Sequence, residues 1–459
     1  MRKLFFAVLL SALIIAEFIF SQDKSYYYHE TAKKVVTEAL NKSKGYEYLK
    51  ELCEIGPRLA GSKNSLKAID WAVNKFKEIG VDTVWLQPVM VNSWERGDIE
   101  TAAIIGSNNN PIYELSVASL GNSVGTDNDG ISAEVLEVHN FEELKLLSEE
   151  AKSKIIFFNR PFDNTLINTF EAYGKAVDQR IFGAAEAAKV GGIGVLVRSV
   201  TSLYDNVPHV GTMIYADSVK QIPAAALGTI DADYLSGQLK KNPNLKIKMT
   251  LSCRSIPDQK SYNVIAEIRG IEKPEEVIVV GGHFDSWDKG DGAHDDGAPT
   301  LQTLEILDLI KRLNLQPKRT IRCIFFMNEE NGSEGAVEYA KFAESENSTH
   351  IAAIESDRGA FTPRGFYVTT DSTRLSKLQS WLPFLDHALI EWIKPGGSGA
   401  DISKIKICGA LMGYVPDVQR YFDVHHSDND VFETVNSREM EFGSAAMTIL
   451  AFLLSEEGI

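Results

Sequence analysis

The sequence predicts an α/β fold, and three segments support this prediction. Residues 62–79 carry apolar side chains at the spacing of an amphipathic helix, Gly80 ends it, and residues 81–91 have the composition of a strand. Residues 277–280 form a short apolar run that stops at a pair of glycines. Residues 320–327 are almost continuously apolar, which is typical of a strand covered on both faces of a sheet.

The composition limits the class of protein. The chain has 459 residues, 44% of them apolar and 24% charged, which is ordinary globular composition and allows two or three domains. Its formal net charge is −16, whereas nucleic-acid binding needs clustered Lys and Arg, so we expect no nucleic-acid partner. The four cysteines are widely spaced and contain no CxxC pair, which argues against a thiolate zinc cluster.

Residues 1–21 have the layout of a secretory signal peptide. Arg2 and Lys3 precede a long apolar run, and the sequence favours cleavage near Ser21. Glu17 interrupts the run, so its uninterrupted part is shorter than the ~20 residues that a membrane-spanning helix needs. We therefore expect an exported protein, periplasmic or secreted, with no membrane attachment after cleavage.

The remaining elements follow in chain order. Residues 22–44 are compatible with a helix, and a second helix ends at Gly56-Pro57, because proline cannot continue it. From there the chain alternates predicted strands and helices. The predicted strands are 153–161, 190–199, 221–228, 263–270, 275–284, 320–327 and 350–356, and the predicted helices are 184–191, 299–313 and 334–345.

Acidic and imidazole side chains follow the ends of three predicted strands, and a fourth group lies near the C-terminus. Residues 283–296 alone hold two histidines and five aspartates. In open α/β sheets ligands bind at the edge where the strands end, and zinc accepts nitrogen and oxygen ligands. The sequence therefore predicts a metal site, in which a pair of zinc ions would need a bridging carboxylate. The candidate groups are His283, Asp285, Asp295, Glu329, Glu330, Asp357, His425 and His426.

Five stretches of the sequence resemble one family, the co-catalytic di-zinc exopeptidases of the aminopeptidase type. They are GPRLAGS, GGHFDSWDKGDGAHDDGA, NEENGSEGA, ESDRGAFTPRGF and YFDVHHSDNDV, and the likeness extends from about Gly45 onward. The resemblance implies an α/β fold with a mixed central sheet and helices on both faces. It also implies hydrolysis of the peptide bond of dipeptides or short peptides, and a homodimer.

The resemblance further implies a role for each residue of the site. The implied ligands of two zinc ions per chain are His283, Asp295, Glu330, Asp357 and His426. Asp295 would bridge the two ions. His426 is preferred to His425 because the family places this ligand directly before a Ser or Thr.

Adjacent glutamates in this site need separate roles. Successive side chains at the end of a strand point in opposite directions, so Glu330 can reach a metal while Glu329 faces the substrate. The resemblance makes Glu329 the general base, which takes a proton from a zinc-acidified water and passes it to the leaving amine. It places Asp285 behind His283, where its carboxylate would hold the second ring nitrogen, an arrangement common around metal-bound imidazoles.

The middle of the chain resembles a second, smaller module. Predicted strands and one helix alternate there with turns rich in Ala and Gly, an order similar to the protease-associated domain that is often inserted into secreted peptidases. The sequence therefore predicts a signal peptide (1–21), a first part of the catalytic domain (22–120), a protease-associated-like lobe (121–256) and a second catalytic part (257–459).

Alternatives remain open at this stage. Residues 121–125 fit the G-x-S-x-G pattern of a serine hydrolase, but turn residues follow where a nucleophile elbow needs a helix. A non-catalytic binding protein or a one-zinc transferase would share the fold. Within the family, an aminopeptidase acting on longer peptides is the main alternative. Ser398 and Asp401 in GGSGAD either contact substrate or belong to a flexible turn.

Overall fold

Two eight-stranded sheets carry the fold in the part of the chain that the structure describes. This computed structural model describes residues 23–42 and 44–459. The predicted signal peptide at 1–21 lies outside the described residues. No helix among the described residues is both long and apolar enough to cross a membrane.

The first sheet, called the main sheet, carries the predicted site. Its strands are β1 (Thr83–Glu95), β10 (Arg254–Ile268), β11 (Lys273–His283), β12 (Arg319–Phe326), β13 (Thr349–Glu355), β14 (Pro363–Thr369), β15 (Trp392–Pro395) and β16 (Leu411–Pro416). The spatial order is β1-β10-β12-β11-β13-β16-β14-β15. The centre, β12-β11-β13-β16, is parallel, and β10 and β14 join it antiparallel. The carboxyl ends of β11, β12 and β13 therefore meet at one edge.

The second sheet forms the inserted lobe. Its strands are β2 (Glu100–Ile105), β3 (Pro111–Leu115), β4 (Val117–Ser119), β5 (Ile131–Val138), β6 (Ile155–Phe158), β7 (Gly194–Arg198), β8 (Ala224–Leu227) and β9 (Lys246–Leu251). The spatial order is β3-β2-β9-β5-β6-β7-β8-β4. Three of these strands precede residue 121, where the sequence analysis begins the lobe. The division at residues 121 and 256 stays a prediction, and sheet membership favours an earlier start.

Helices cover both faces of the main sheet, as the sequence analysis predicts. The helices of the described residues are α1 (residues 23–42), α2 (Gly45–Ile55), α3 (Lys63–Ile79), α4 (Phe141–Leu146), α5 (Ser148–Ala151), α6 (Thr169–Gly174), α7 (Asp178–Lys189), α8 (Thr229–Lys241), α9 (Ala298–Arg312), α10 (Glu334–Ser345), α11 (Ser372–Gln379), α12 (Leu382–Leu385), α13 (Tyr421–Val424) and α14 (Ser437–Glu457). Of these, α4 to α8 belong to the inserted lobe. Successive strand side chains alternate between faces. Ile278 of β11 packs with Leu304 of α9 and Leu450 of α14, whereas its neighbour Val279 packs with Tyr339 of α10.

The helix α3 forms as the sequence predicts. Ser62 caps it by accepting a hydrogen bond from the backbone N–H of Ser65, and Gly80 ends it with a φ of 78°, in the left-handed region that favours glycine. Ile69 and Phe76 lie on its buried face. The predicted helices at 299–313 and 334–345 and the predicted strands at 320–327 and 350–356 are likewise confirmed, each within one or two residues at its ends.

The helix α14, near the C-terminus, is not predicted from the sequence. Residues on all sides of this helix are buried between Met440 and Ser455, so its sequence lacks the periodicity that marks an amphipathic helix. The four cysteines are free; Cys53, Cys253 and Cys323 are buried.

Candidate metal centre

A buried arginine shapes the loop that follows β11. Arg58 is 0% exposed and donates from Nε to the carbonyl oxygen of Phe284 at 3.1 Å. Its two Nη atoms donate to the carbonyl oxygens of Asp291 and Gly292 at 2.7 and 2.9 Å. The upstream GPRLAGS stretch thus contributes the side chain around which the acidic loop folds.

Asp295 lies in the turn Ala293–Gly297, which leads into α9, and its own φ of −127° and ψ of 85° are not helical. The backbone N–H groups of His294 and Asp295 donate to the carboxylate of Asp430 at 2.6 and 3.1 Å. These two bonds hold the turn in place while the Asp295 carboxylate points toward the neighbouring imidazoles.

The five predicted zinc ligands converge around Asp295 at the carboxyl edge of the main sheet. Its Oδ1 lies 3.2 Å from Nε2 of His283, and its Oδ2 lies 3.2 Å from Nε2 of His426. On the first side, Oδ1 of Asp357 lies 3.6 Å from the same His283 nitrogen. On the second side, Oε2 of Glu330 lies 3.0 Å from the His426 nitrogen. One carboxylate therefore faces two donor sets, one from each oxygen.

The chemistry of this donor set fits a metal. Oδ2 of Asp295 and Oε1 of Glu330 are buried and have no hydrogen-bond partner among the described residues. Together with His283, these residues offer nitrogen and oxygen atoms within 4.8 Å of one another, which are ligands that zinc accepts. Burial raises the pKa of Glu330; His426 opposes this, and Asp295 adds to it. A bound cation would relieve the cost of keeping these carboxylates charged and buried.

The far side of the His426 ring faces the lobe. Its Nδ1 lies 3.1 Å from the carbonyl oxygen of Val210 and 3.3 Å from Nη1 of Arg180, which donates to the same carbonyl at 3.1 Å. Arg180 only donates and has the Val210 carbonyl as its acceptor, while that carbonyl can also accept from the ring. We therefore assign the ring proton to Nδ1, which leaves Nε2 for the candidate ligand set. Nε2 of His425 is farther from Asp295, at 3.6 Å. The geometry therefore favours His426 over His425.

The hydrogen bond predicted for the Asp285 carboxylate is not formed. Nδ1 of His283 is 2.9 Å from the backbone carbonyl oxygen of Asp285, whereas a carboxylate oxygen of that residue is 4.0 Å away. The carboxylate instead accepts hydrogen bonds from the backbone N–H groups of Asn328, Glu329 and Glu330 at 2.6, 3.1 and 3.3 Å. These three donors turn it away from the imidazole, so Asp285 supports the turn that carries the two glutamates.

Glu329 is half-buried and lines a cleft of about 850 Å³ on the lobe side of the centre. Thr212 of the lobe and Asn331 line the same cleft. Burial raises the pKa of Glu329 well above its ordinary value; His283 opposes this shift, and the neighbouring carboxylates of Asp357 and Glu330 add to it. A raised pKa makes a carboxylate a stronger base, which suits Glu329 for accepting a proton.

A second cleft, of about 760 Å³, opens on the other side of the centre and is lined by Asp357. Ser398 also lines it, which is consistent with the predicted substrate contact. Asp401 is buried, and neither oxygen of its carboxylate has a hydrogen-bond partner among the described residues. The loop is fixed because the backbone N–H groups of Ala400 and Ile402 each donate to Glu355 at 2.7 Å.

The serine-hydrolase alternative has no structural support. Ser123 is fully buried, and its Oγ donates to the carbonyl oxygen of Val124 and accepts from the N–H of Ala224. Residues 126–130 form a loop and a turn instead of the helix that follows a nucleophile elbow.

Three residues that contact the candidate ligands escape the sequence analysis. Nε1 of Trp287 donates to Oε2 of Glu330 at 2.7 Å. Trp287 lies among the acidic residues of the loop, so its position was a usable signal. Arg180 and Val210 belong to the lobe, and nothing in their local sequence points to the centre, because their contact depends on how the lobe docks.

Comparisons with known proteins agree with this geometry. A family model described as Peptidase family M28 matches residues 263–391. Carboxypeptidase Q of Bos taurus is 34% identical over 439 residues, covering 94% of this chain and 90% of that protein, and the Xenopus laevis protein of the same name is 35% identical over 434 residues, covering 94% and 90%.

Solved structures show the same fold. A peptidase M28 precursor from Shewanella amazonensis SB2B superposes with a TM-score of 0.89 at 31% identity, covering 94% of this chain and 98% of that chain. BSAP, a zinc aminopeptidase from Bacillus subtilis, superposes with a TM-score of 0.63 at 18% identity, covering 90% and 96%, which is a likeness of fold alone. The extent and identity of these matches show that the chain is a metallo-exopeptidase and belongs to peptidase family M28.

Proposed function

We propose that this protein is a zinc-dependent exopeptidase that holds two zinc ions per chain. His283 and Asp357 would hold one ion, Glu330 and His426 the other, and Asp295 would bridge them. The observation that carries this proposal is the position of Asp295, whose two oxygens each lie 3.2 Å from the Nε2 atom of a different histidine.

The protein residues supply the proton transfers of the proposed reaction. Zinc, when bound, supplies Lewis acidity that polarises a carbonyl and lowers the pKa of water towards ~7. Glu329 takes a proton from the attacking water and gives it to the nitrogen of the leaving amine, as general base and then general acid. The Asp285 carboxylate accepts a hydrogen bond from the backbone N–H of Glu329 and so holds the backbone of the proposed base in place. Trp287 donates to the Glu330 carboxylate and orients it.

The proposed substrates are dipeptides or short peptides with free termini. The names of the curated relatives support carboxypeptidase-type action. The two clefts, one lined by Asp357 and the other by Glu329 and Glu330, provide room beside the centre for the two parts of a short peptide. Export of the protein, cleavage of residues 1–21, and a homodimer belong to the same proposal. We also propose that the inserted lobe begins earlier than residue 121, because β2, β3 and β4 pair within its sheet.

A substrate panel on metal-stripped and zinc-restored protein tests this function. We expect hydrolysis of free dipeptides to disappear on stripping and to return as two equivalents of zinc per chain bind, measured by elemental analysis. Faster hydrolysis of aminoacyl arylamides than of free dipeptides would favour the aminopeptidase alternative. Full activity of the stripped protein would contradict the proposal.

A further inference from the structure

The cleft that opens beside Asp357 contains a guanidinium group without an anionic partner. Arg358 lines this cleft of about 760 Å³ and is half-buried. Among the described residues, no carboxylate oxygen lies within 4.0 Å of its nitrogens, although ion pairs are common elsewhere on the chain. A half-buried arginine that lacks an internal anion is available to bind an anion from outside.

The guanidinium is held in place by aromatic rings. It lies 4.7 Å from the ring centroid of Phe170, in α6 of the lobe, and 5.7 Å from that of Tyr367, in β14. Phe170 is in turn stacked on Tyr421, with centroids 5.5 Å apart and planes at 11°. Contacts with ring faces occupy the flat sides of a guanidinium and leave its N–H edges for in-plane hydrogen bonds, the geometry that a carboxylate uses.

The position of Arg358 sets which part of a peptide it can reach. Arg358 directly follows Asp357, whose Oδ1 lies 3.6 Å from Nε2 of His283. In a dipeptide the terminal carboxylate is one residue beyond the scissile carbonyl, at most ~3.6 Å of extended chain. Asp357 and Arg358 line the same cleft, so the guanidinium lies on the side of the centre where this cleft would receive the next residue of a substrate. The same charge repels an ammonium group, which disfavours binding of the amino end on this side.

We propose that Arg358 binds the C-terminal carboxylate of the substrate, one residue past the scissile bond. This inference rests on the proposed function and deepens it, because it makes the last peptide bond the one that is cut. Phe170 is the contribution of the lobe to this subsite, since it holds the guanidinium against the cleft. Lys406 is the rival cation, because it lines the same cleft, but it is exposed and donates to the carbonyl oxygen of Ser403.

The test compares one apolar dipeptide with its C-terminal amide, which has the same side chains and a free amine but no carboxylate. On zinc-loaded protein we expect wild type to prefer the acid, measured as kcat/KM. Arg358→Gln should lower kcat/KM for the acid by ~10- to 100-fold, the range of hydrogen bonds to charged groups, and the amide much less. The acid-to-amide ratio therefore falls towards one. Arg358→Lys, which keeps the charge but loses the fork, should retain part of the preference.

Lys406→Gln is the matched control, with the same loss of one cation from the same cleft, and the ratio should persist. A ratio that survives Arg358→Gln while both substrates slow equally, or a ratio abolished by Lys406→Gln alone, overturns the assignment of Arg358. Equal hydrolysis of acid and amide by wild type would also overturn the assignment of Arg358, but it would not contradict the proposed peptidase function. Hydrolysis of neither substrate by the zinc-loaded wild type overturns the proposed function itself. Zinc content, measured in parallel, separates a changed subsite from a lost centre.

Discussion

Gly211 of the lobe packs so closely on His426 that a Cβ atom at position 211 would lie 2.6 Å from Nδ1 of the imidazole. The same atom would lie 2.5 Å from the Arg180 guanidinium, and Gly211 has a φ of 133° that L residues rarely adopt. Glycine is therefore required for the backbone carbonyl of Val210 to approach the ring. The lobe contributes to the centre through this contact.

We predict that Gly211→Ala weakens zinc binding by roughly 10- to 100-fold, the usual range for changes to the outer partners of a ligand. The added methyl group would push His426 away from the Val210 carbonyl or force the lobe backbone to move. Competition with a chelator measures the affinity. Gly237→Ala is the control, since a Cβ there in α8 meets no atom within 4 Å. Unchanged zinc affinity in Gly211→Ala would show that the lobe contact does not support the ligand.

Glu329→Gln should keep bound zinc and lose turnover. An amide of the same shape cannot take a proton from water, and a positioned general base contributes ~10²- to 10⁴-fold to the rate. The measurement is kcat on a dipeptide, with elemental analysis of the same sample. Glu338→Gln, which changes a half-buried glutamate of α10 paired with Lys341, should leave both unchanged. A kcat close to that of wild type in Glu329→Gln would refute the assignment of the base.

Asp295→Ala should remove bound metal, because its two oxygens face both donor sets. We expect loss of zinc and of activity together, measured by elemental analysis after dialysis. Asp129→Ala replaces an exposed aspartate of the lobe and should have no effect. Two zinc ions still bound to Asp295→Ala would contradict a bridging role.

The buried imidazole of His350 should make stability depend on pH far from the centre. Burial, with help from Arg322, lowers the pKa of His350 to about 4, against a weaker opposing effect of Glu346. The Tyr339 hydroxyl accepts from Arg322 and lies 2.9 Å from Nε2 of His350, and its own proton can be donated to that nitrogen only while the nitrogen is unprotonated. The folded state keeps a neutral ring at a pH where the unfolded chain binds a proton.

The direction of the pH dependence follows from the pKa of His350, which is about 4 in the folded state and about 6.5 in the unfolded chain. Above about pH 6.5 the ring is neutral in both states and its contribution to stability is complete; as the pH falls towards 4 the unfolded chain gains the proton and stability is lost. For metal-free protein we expect this residue to account for about 2 kcal/mol of the free energy of unfolding lost between about pH 7 and about pH 5. Urea titrations of wild type, His350→Gln and the exposed control His139→Gln measure it. The same loss in His350→Gln as in wild type would exclude the assignment.

The sequence was a good guide where local chemistry decides the structure. Ser62 and Gly80 mark the two ends of α3. The apolar run at 320–327 forms β12, whose side chains are buried on both faces of the sheet. The candidate ligands were predictable as a set because the carboxyl ends of parallel strands share one edge. The alternation in β9, which buries Ile247 and Met249 and exposes Lys246 and Lys248, is a further local pattern of this kind.

Other features depend on distant parts of the chain. The His283 ring could bond to the carboxylate or to the backbone carbonyl of Asp285. The backbone of residues 328–330 decides between them, because it supplies three N–H donors to that carboxylate. The contacts of Arg180 and Val210 with His426 exist only once the lobe has docked. No local pattern marks them.

The way the lobe joins the main sheet has a consequence for how such a chain can be assembled. Glu95 and Arg254 are paired partners at the ends of β1 and β10, and their side chains form an ion pair at 2.8 Å. The chain thus leaves the main sheet at the end of β1 and returns to it at the start of β10. These two points are one interstrand spacing of ~5 Å apart, as the ends of a hairpin loop are. Loop-closure entropy grows only slowly with length, so the host tolerates a whole folded unit at this tip almost as it would a short turn. Because only β1 and β10 connect the lobe to the main sheet, the orientation of the lobe depends on the surfaces that it contacts.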